Sequence, residues 1–473
     1  MHKILPPLHE IFQKILQEHP ETVSWKGQNI NNSGLFCAAA ADMADALLQD
    51  CEKDGFIPAL RQAVYDEKLE PNSFIFIGAL YALAAARMME RGDAAFAQRL
   101  AEEAIAYSQF DIFAQNIVLK ANHALDPATR SFEDTEAWLK TRFCMFPFTM
   151  LETTTSGEFY RCCPSYVPMP IGTMDAPDLQ SVLNSPAAQA IRESILDGSF
   201  KYCSKLQCPV IGSRSLMSRE EGLAKLAELG EYPEEVTFSH DASCNLSCPS
   251  CRTHRVVIPK DEQDKFDSLS ERLLVPLMNH AKRISICGSG DPFASIHFRN
   301  LLINYCKNAS EKARKLALQT NGVLLDRKAW DAVGLDGHVK EILISIDAAT
   351  EETYAVVRRD GNFKRLHENL RFLSDMRRAG AFDIFTTRFV VQQINFREMP
   401  EFVRQGKALG VDCIQFSQLR NWGTFSPEDY AGQSITAREH PEHQAFLDML
   451  KDPIFDDPIV WLGNIDNFRV RAA

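Results

Sequence analysis

Three patterns of hydrophobic and polar residues succeed one another along the chain. From about Leu35 to Leu125 apolar residues recur every three to four positions, as in "FIGALYALAAARMMERGDAAFAQRLAEEAIAYSQFDIFAQNIVLKANHAL", the period of helices that bury one face. This stretch is rich in alanine and other helix formers, and Arg91, Gly92 and Asp93 interrupt it, so two antiparallel helices are predicted to meet there. Ala97, Ala101 and Ala104 are small where such helices would cross closely. An α-helical domain over residues 1–140 is the expectation. From about Phe143 to Pro209 turns, cysteines and prolines dominate, with one helix-like stretch, "DLQSVLNSPAAQAIRESILDG", which predicts a small Cys-rich α+β domain over 141–230. From about Glu234 short β-rich runs ("EVTFSHD", "RISICGSG", "KLALQTNG", "EILISIDA", "IFTTRFVVQQ", "CIQFSQLR") alternate with helical segments such as "FRNLLINYCKNASEKARK" and "FKRLHENLRFLSDMRRAG". That alternation implies parallel βα units, and six of them predict an α/β domain with a partial (β/α)6 barrel over 231–440, followed by a tail over 441–473. Chemistry in such folds sits where strands hand over to loops at their C-terminal ends.

At 473 residues the chain is too long for one core, which agrees with three domains. It is 45% hydrophobic and 24% charged, ordinary for a soluble globular protein. The net charge of -12, with no stretch of lysine and arginine interleaved with aromatics, argues against a nucleic-acid partner. No apolar run approaches the roughly 20 residues of a membrane-spanning helix. The opening "MHKILPPLHEIFQKILQEHP" has no signal-peptide core or cleavage site, so a cytoplasmic location away from membranes is expected. Thirteen cysteines in such a chain suggest thiolate ligands rather than disulfides. Eight of them lie between Cys144 and Cys251, and that clustering needs a local cause.

Cys244, Cys248 and Cys251 stand in "DASCNLSCPSCR" with the spacing C-x3-C-x2-C, directly after the first β-rich run. Three readings are open. A structural zinc needs a fourth ligand, which His254 is placed to supply. Buried cysteines without a ligand are the second, although three within eight residues beside Pro249 are poorly placed for a core. The third is an iron-sulfur cluster in which one iron lacks a protein ligand and stays open to a small molecule.

Together with short motifs at the ends of the next three β-rich runs, this loop resembles the signature of radical S-adenosylmethionine (radical SAM) enzymes, and the resemblance extends over roughly residues 236–425. After the second run, "GSGDPF", Gly288 to Phe293, is similar to the family's glycine-glycine-glutamate-proline motif, with Asp291 in place of the usual glutamate. "QTNG", Gln319 to Gly322, ends the third run. "SID", Ser345 to Asp347, ends the fourth and continues into "TEETYAVVRRDGNFKRLHENL", a continuation common in the family. The resemblance implies a [4Fe-4S] cluster on Cys244, Cys248 and Cys251 whose open iron binds S-adenosylmethionine. It further implies cofactor contacts from Gly288, Ser289, Gly290, Asp291, Asn321, Ser345, Asp347 and Arg359. Ser345 and Asp347 are expected to face the same way on their strand. Ser250 stands where the family commonly has an aromatic residue against adenine, so that packing is expected from Val390 or Val391.

Cys144, Gly157 and Cys162 form C-x12-G-x4-C, which resembles the opening of the auxiliary-cluster (SPASM/twitch-type) domains of many family members. The helix-like stretch and the pair Cys203 and Cys208 resemble the close of the same domain, here N-terminal to the barrel rather than after it. The resemblance implies one auxiliary [4Fe-4S] cluster on Cys144, Cys162, Cys203 and Cys208, with Cys163 a substitute for Cys162; zinc on the same four is the alternative. The N-terminal helices resemble one or two degenerate tetratricopeptide repeats, although the consensus aromatic and glycine positions are mostly absent and a plain helical bundle is the other reading.

The implied activity is reductive cleavage of S-adenosylmethionine to a 5'-deoxyadenosyl radical that abstracts hydrogen from a substrate C–H bond. An electron donor such as flavodoxin or ferredoxin would serve it. An auxiliary cluster that accepts the remaining electron makes the outcome oxidation or cross-linking, with a peptide or protein as the favoured substrate, since stacked helix pairs form concave binding surfaces. A carbohydrate or small metabolite is the alternative, modified by dehydrogenation or by epimerisation in which a thiol returns the hydrogen. Cys413 on the sixth run and Cys287 on the second are the candidate donors if they face the interior, and small apolar core residues otherwise. A remote alternative is an iron-sulfur binding or electron-transfer protein without turnover.

Overall fold

The computed structural model describes residues 57, 71–107, 111–286, 289–309 and 313–469. Cys287, Gly288 and, apart from residue 57, the helical pattern before residue 71 lie outside them. Twelve strands occur among the described residues: β1 (Arg142–Phe143), β2 (Met150–Thr153), β3 (Glu158–Tyr160), β4 (Gly172–Thr173), β5 (Met217–Ser218), β6 (Glu235–Phe238), β7 (Arg283–Ile286), β8 (Leu316–Thr320), β9 (Val339–Ser345), β10 (Ile384–Val391), β11 (Cys413–Gln418) and β12 (Val460–Trp461). Internal contacts divide the chain into two units.

The first unit takes the residues up to 148 together with 158–176 and 180–229. Its helices Pro71–Glu90 and Ala94–Tyr107 meet at the expected break, where Gly92 adopts φ +79° and Asp93 Oδ1 accepts the Phe96 amide at 3.1 Å. Ala97, Ala101 and Ala104 are fully buried, as close helix crossing requires. Helices Ile112–Leu125 and Phe132–Leu139 follow, each started by a side-chain cap, Asp111 and Ser131. The cysteine-rich segment is part of this same unit, although the sequence pattern places a boundary at 140: the Ser204 hydroxyl donates to Gln115 Oε1 at 2.5 Å and Arg130 Nη2 donates to the Lys205 carbonyl at 2.6 Å. Two antiparallel strand pairs, β1 with β5 and β3 with β4, complete it. The single helix-like stretch resolves into helices Leu179–Leu183 and Pro186–Leu196, because Ser185 caps the second with Pro186 in its first turn.

The second unit takes 149–157, 177–179 and the residues from 230 on. Its eight strands lie in the order β12-β11-β10-β9-β8-β7-β6-β2, and every neighbouring pair is parallel. All six expected strands are present. Two more were not expected: β2, from the segment assigned to the cysteine-rich domain, runs beside β6, and β12, from the segment assigned to the tail, runs beside β11.

Register separates the two faces of this sheet. Phe238, Ile286, Leu318, Ile342 and Phe385 lie side by side and are essentially unexposed. Helices cover this face: Phe402 of helix Met399–Leu409 packs its ring 4.9 Å from that of Phe389. On the opposite face Glu152, Thr237, Ser285, Ala317 and Glu341 share one level, and Gln319, Leu343, Thr386 and Cys413 the next. Most of these are polar and several are partly exposed, so this is the face a ligand can reach. No described helix is long and apolar enough to cross a membrane.

Candidate functional site

The cysteine loop begins shortly after β6 and is anchored before its first cysteine. Asp241, fully buried, accepts the Ser243 amide at 2.7 Å on Oδ1 and the Ser295 hydroxyl at 2.5 Å on Oδ2. The Cys244 amide donates to the Val256 carbonyl, and the amides of Cys251 and Arg252 both donate to the Cys248 carbonyl, which closes a tight turn. Cys248 is buried, Cys244 partly so and Cys251 exposed, so the loop opens to one side. Burial pushes the Cys244 thiol up to about 11, with the charge of Asp291 adding to it. Burial raises Cys248 as well, against the opposing charge of Arg358. Holding a metal here therefore costs proton release from these thiols.

The loops after the next three strands converge on this one. Gly290 leaves no room for a side chain: a Cβ there would stand 2.5 Å from the Asp241 carbonyl and 2.6 Å from that of Ser243. Asp291 is buried with both carboxylate oxygens engaged. Oδ2 accepts the Thr320 hydroxyl at 2.6 Å and the Asn321 amide at 2.8 Å, and Oδ1 accepts the Phe293 amide at 3.0 Å. Its role is to tie "GSGDPF" to "QTNG" rather than to stand open for an amino group. Asn321 Nδ2 donates to Asn245 Oδ1 at 2.9 Å and lies 3.9 Å from Cys244 Sγ. Asn369 Nδ2 supports the same loop through the carbonyls of Gly322 and Val323.

Ser345 closes β9 on the polar face beside Arg388. Asp347 does not continue the strand: its φ of +64° is left-handed, and the alternation that would put both side chains on one face stops before it. Its Oδ1 accepts the Val390 amide at 2.8 Å, and its Oδ2 pairs with Arg358 Nη2 at 2.8 Å. Arg358, which the sequence motif does not distinguish from its neighbour, also points Nη1 at Cys248 Sγ, 3.8 Å away. Arg359 instead clamps the cysteine loop from outside, donating to Ser247 Oγ at 2.9 Å and the Thr253 carbonyl at 3.0 Å. Arg252 donates to the Ala242 carbonyl at 2.8 Å and to the Ser289 carbonyl, with Nη2 3.5 Å from Cys251 Sγ. Val391 is fully buried on the helix-covered face and so faces away from any adenine; Val390 lies on the polar face.

Two polar atoms beside Cys248 are buried and have no partner: Tyr354 Oη and Arg358 Nε. Burial raises the Tyr354 hydroxyl, opposed by Arg358, so it remains a donor. Arg358 stays charged although burial alone would lower it, because Asp347 and Cys248 outweigh desolvation. Buried donors without acceptors are costly, and each lacks an acceptor that an anionic ligand group could supply.

In the first unit Cys144, Cys162 and Cys203 are buried, and Cys163 and Cys208 partly so. Burial pushes Cys144 up to about 12 and raises Cys162, Cys203 and Cys208 as well. Three of them also feel the charge of others in the set: Cys144 feels Cys208, Cys162 feels Cys144, Cys203, Cys208 and Cys163, and Cys203 feels Cys144 and Cys208. Lys205, buried and donating to the Phe200 carbonyl at 3.3 Å, opposes this at Cys203, and Arg130 does so at Cys208. Among the described residues no group of three or more His, Cys, Asp or Glu has the arrangement to hold a single metal ion.

Cys413 faces the polar side of the sheet, in register with Thr386, and its thiol is raised by burial and then by the charge of Glu341. Glu152 lies on the same face, on a strand the sequence does not reveal, and burial raises it to about 7. The only signal for it is the alternation of "MLET", too short to read as a strand.

Residues 238–405 match the model of the radical SAM superfamily, a span that includes all three cysteines of the loop and the motifs after β7, β8 and β9. This superfamily binds a [4Fe-4S] cluster and S-adenosylmethionine. A curated relative, the GTP 3',8-cyclase of Alkaliphilus metalliredigens (strain QYMF), is 27% identical over 132 residues, which is 27% of this chain and 39% of that one. Among solved structures, Streptococcus suis SuiB bound to precursor peptide SuiA is 15% identical at a TM-score of 0.31, over 57% of this chain and 60% of that one. Native anSMEcpe with bound AdoMet and Cp18Cys peptide is 20% identical at a TM-score of 0.30, over 49% and 60%.

Proposed function

We propose that this protein is a radical SAM enzyme, that its parallel sheet is the family's partial barrel, and that it oxidises or cross-links a peptide or protein. The observation that carries the reading is the convergence of four loops at the C-terminal ends of β6 to β9 around Cys244, Cys248 and Cys251, with Tyr354 Oη and Arg358 Nε left as buried donors beside them. The residues fit the cofactor. Cys244, Cys248 and Cys251 would hold the cluster, Tyr354 and Arg358 would offer donors to the carboxylate of S-adenosylmethionine, and Gly290 lets backbone approach backbone. When bound, cluster and cofactor supply hydrogen-atom abstraction from a substrate C–H bond.

The chain's own part is placement. Asp291 locks two loops together, Asp347 keeps Arg358 charged, and Arg359 fixes the cysteine loop by its backbone. The partly exposed hydroxyl, amide and carboxylate groups of the polar face suit the polar groups of a peptide. Cys144, Cys162, Cys203 and Cys208, with Lys205 and Arg130 beside them, would hold an auxiliary [4Fe-4S] cluster that takes up the second electron of an oxidation. Anaerobically reconstituted protein, reduced by dithionite and given S-adenosylmethionine, should form 5'-deoxyadenosine; if none forms, the enzyme reading fails. With candidate peptides encoded beside its gene, a two-hydrogen mass loss reports oxidation.

One observation favours a second outcome. Cys413 lies on the polar face with its thiol raised, and the S–H form is the one that returns a hydrogen atom, as an epimerase of a peptide or small metabolite requires. Unchanged mass with deuterium uptake, lost on Cys413→Ala, would establish it.

A further inference from the structure

Each sulfur of the cysteine loop meets one side-chain N–H donor. Asn321 Nδ2 stands 3.9 Å from Cys244 Sγ, Arg358 Nη1 3.8 Å from Cys248 Sγ, and Arg252 Nη2 3.5 Å from Cys251 Sγ. The donors come from three places in the chain: the loop after β8, the end of helix Glu351–Val357, and the cysteine loop itself. None depends on sulfur for its position. Asn321 is held by Asn245, Arg358 by Asp347, and Arg252 by the carbonyls of Ala242 and Ser289. Such an arrangement presents donors to the thiolates whether the cluster is oxidised or reduced. N–H groups aimed at cluster sulfurs stabilise the more negative, reduced state and so raise the reduction potential, and two of these three carry a full positive charge.

We propose that Asn321, Arg358 and Arg252 form a donor set, one per cysteine, that raises the reduction potential of the cluster on Cys244, Cys248 and Cys251 so that a biological one-electron donor can reduce it. This rests on the radical SAM reading. Arg252 loses its charge but keeps hydrogen-bonding capacity in Arg252→Gln and keeps its charge in Arg252→Lys; Asn321→Ser removes the amide alone. The full chain carrying each change is reconstituted, assayed for iron, and titrated potentiometrically by electron paramagnetic resonance, following the signal that changes on adding S-adenosylmethionine.

Variants with wild-type iron content should show midpoints shifted to more negative potential, with Arg252→Gln shifted further than Arg252→Lys and the Arg252→Gln/Asn321→Ser double variant further still. Iron-loaded variants with the wild-type midpoint overturn the inference. So does loss of iron from every variant, which would assign the donors to cluster retention instead. A wild-type protein with no cluster signal sensitive to S-adenosylmethionine would overturn the parent reading, an outcome distinct from either.

Discussion

Arg358 and Asp347 form an ion pair at 2.8 Å whose side chains are 13% and 3% exposed, and Asp347 takes a left-handed backbone, φ +64°, in the segment that makes it. Both partners have second tasks. Asp347 accepts the Val390 amide and so holds the exit of β9 to β10, while Arg358 reaches Cys248. Removing the carboxylate leaves a buried guanidinium without its counter-charge, which costs about 3–5 kcal/mol in comparable pairs. Asp347→Ala should lose stability of that order in urea unfolding, whereas Asp347→Asn, which keeps an acceptor and tolerates the left-handed conformation, should lose about 1–3 kcal/mol. Equal losses would mean that the charge is immaterial.

Gly290 offers a sharper steric test. A methyl group placed there meets two carbonyl oxygens at 2.5 and 2.6 Å, neither of which can yield without moving the anchor of the cysteine loop. Gly290→Ala should lower iron retention and formation of 5'-deoxyadenosine at least tenfold, about 1.4 kcal/mol or more. Gly432→Ala, where nothing lies within 4 Å of the added carbon, should leave both unchanged.

The parts of the molecule that can be read from sequence are those with enough residues to show a period or a spacing. Six strands are legible because each is at least four residues long, leads into a turn-rich loop and alternates with helices. β2 is as long as β6 and β7 but stands apart from the strand-helix alternation, among turns and cysteines, and β12 has only two residues, so pairing with β6 and β11 is what makes them strands. The same limit hides Glu152. The cysteine spacing announces the loop, yet a pair of adjacent arginines does not reveal whether Arg358 or Arg359 turns inward. The direction each takes depends on how helix Glu351–Val357 ends, at φ -122° and ψ 53° for Arg358. One signal does point to Arg358: Asp347 in a buried position calls for a partner, and a nearby arginine is the natural one. The motif alone leaves Asp291 open to the cofactor, but its oxygens are used within the protein by Thr320, Asn321 and Phe293.

Glu152 should make stability fall as pH rises through the neutral range. Burial raises its carboxyl from 4.5 to about 7, so the folded state holds a proton that the unfolded state has already released between those values. Its contribution is complete below pH 4.5 and lost as pH climbs through 7. Glu152→Gln cannot ionise, and at pH 8 it should be more stable than wild type by up to about 3 kcal/mol while matching it more closely at pH 5. Unfolding midpoints at the two pH values decide this; a variant less stable at pH 8 contradicts it.

A buried chain of hydrogen bonds should act in the acid range. Thr153 Oγ1 lies 2.9 Å from His240 Nδ1, His240 Nε2 lies 2.9 Å from His297 Nε2, and His297 Nδ1 lies 2.7 Å from Asp267 Oδ1. One proton arrangement satisfies all three contacts with neutral imidazoles: Thr153, which accepts the Ser239 amide at 3.0 Å, donates to His240, His240 donates to His297, and His297 to Asp267. Burial foremost, with the neighbouring His297 adding to it, holds His240 well below its usual 6.5. The unfolded chain therefore gains a proton near pH 6.5 that the folded chain refuses, and stability falls as pH drops below that value by about 1.4 kcal/mol per pH unit. His240→Gln should flatten that slope, measured as unfolding free energy between pH 5 and 7, even where packing against Phe266 and Phe298 is lost. An unchanged slope would place the acid sensitivity elsewhere.

The two cysteine sets should separate in their effects. Cys248 lies in the loop that the buried donors Tyr354 and Arg358 serve, whereas Cys203 lies in the other unit among Cys144, Cys162 and Cys208. Two complete clusters give about eight irons per chain, and a value near four with one zinc would refute the auxiliary cluster. Cys248→Ala should abolish cleavage of S-adenosylmethionine. Cys203→Ala should retain cleavage but block product formation, because the second electron then has no acceptor. It should also lose about four irons. Since Cys203 is buried beside Lys205, whose ammonium faces Glu136 at 4.0 Å, thermal unfolding of the variant distinguishes a misfolded unit from a missing cluster. Equal loss of cleavage in both variants would contradict the division of labour, and full product formation by Cys203→Ala would remove the auxiliary site from the reaction.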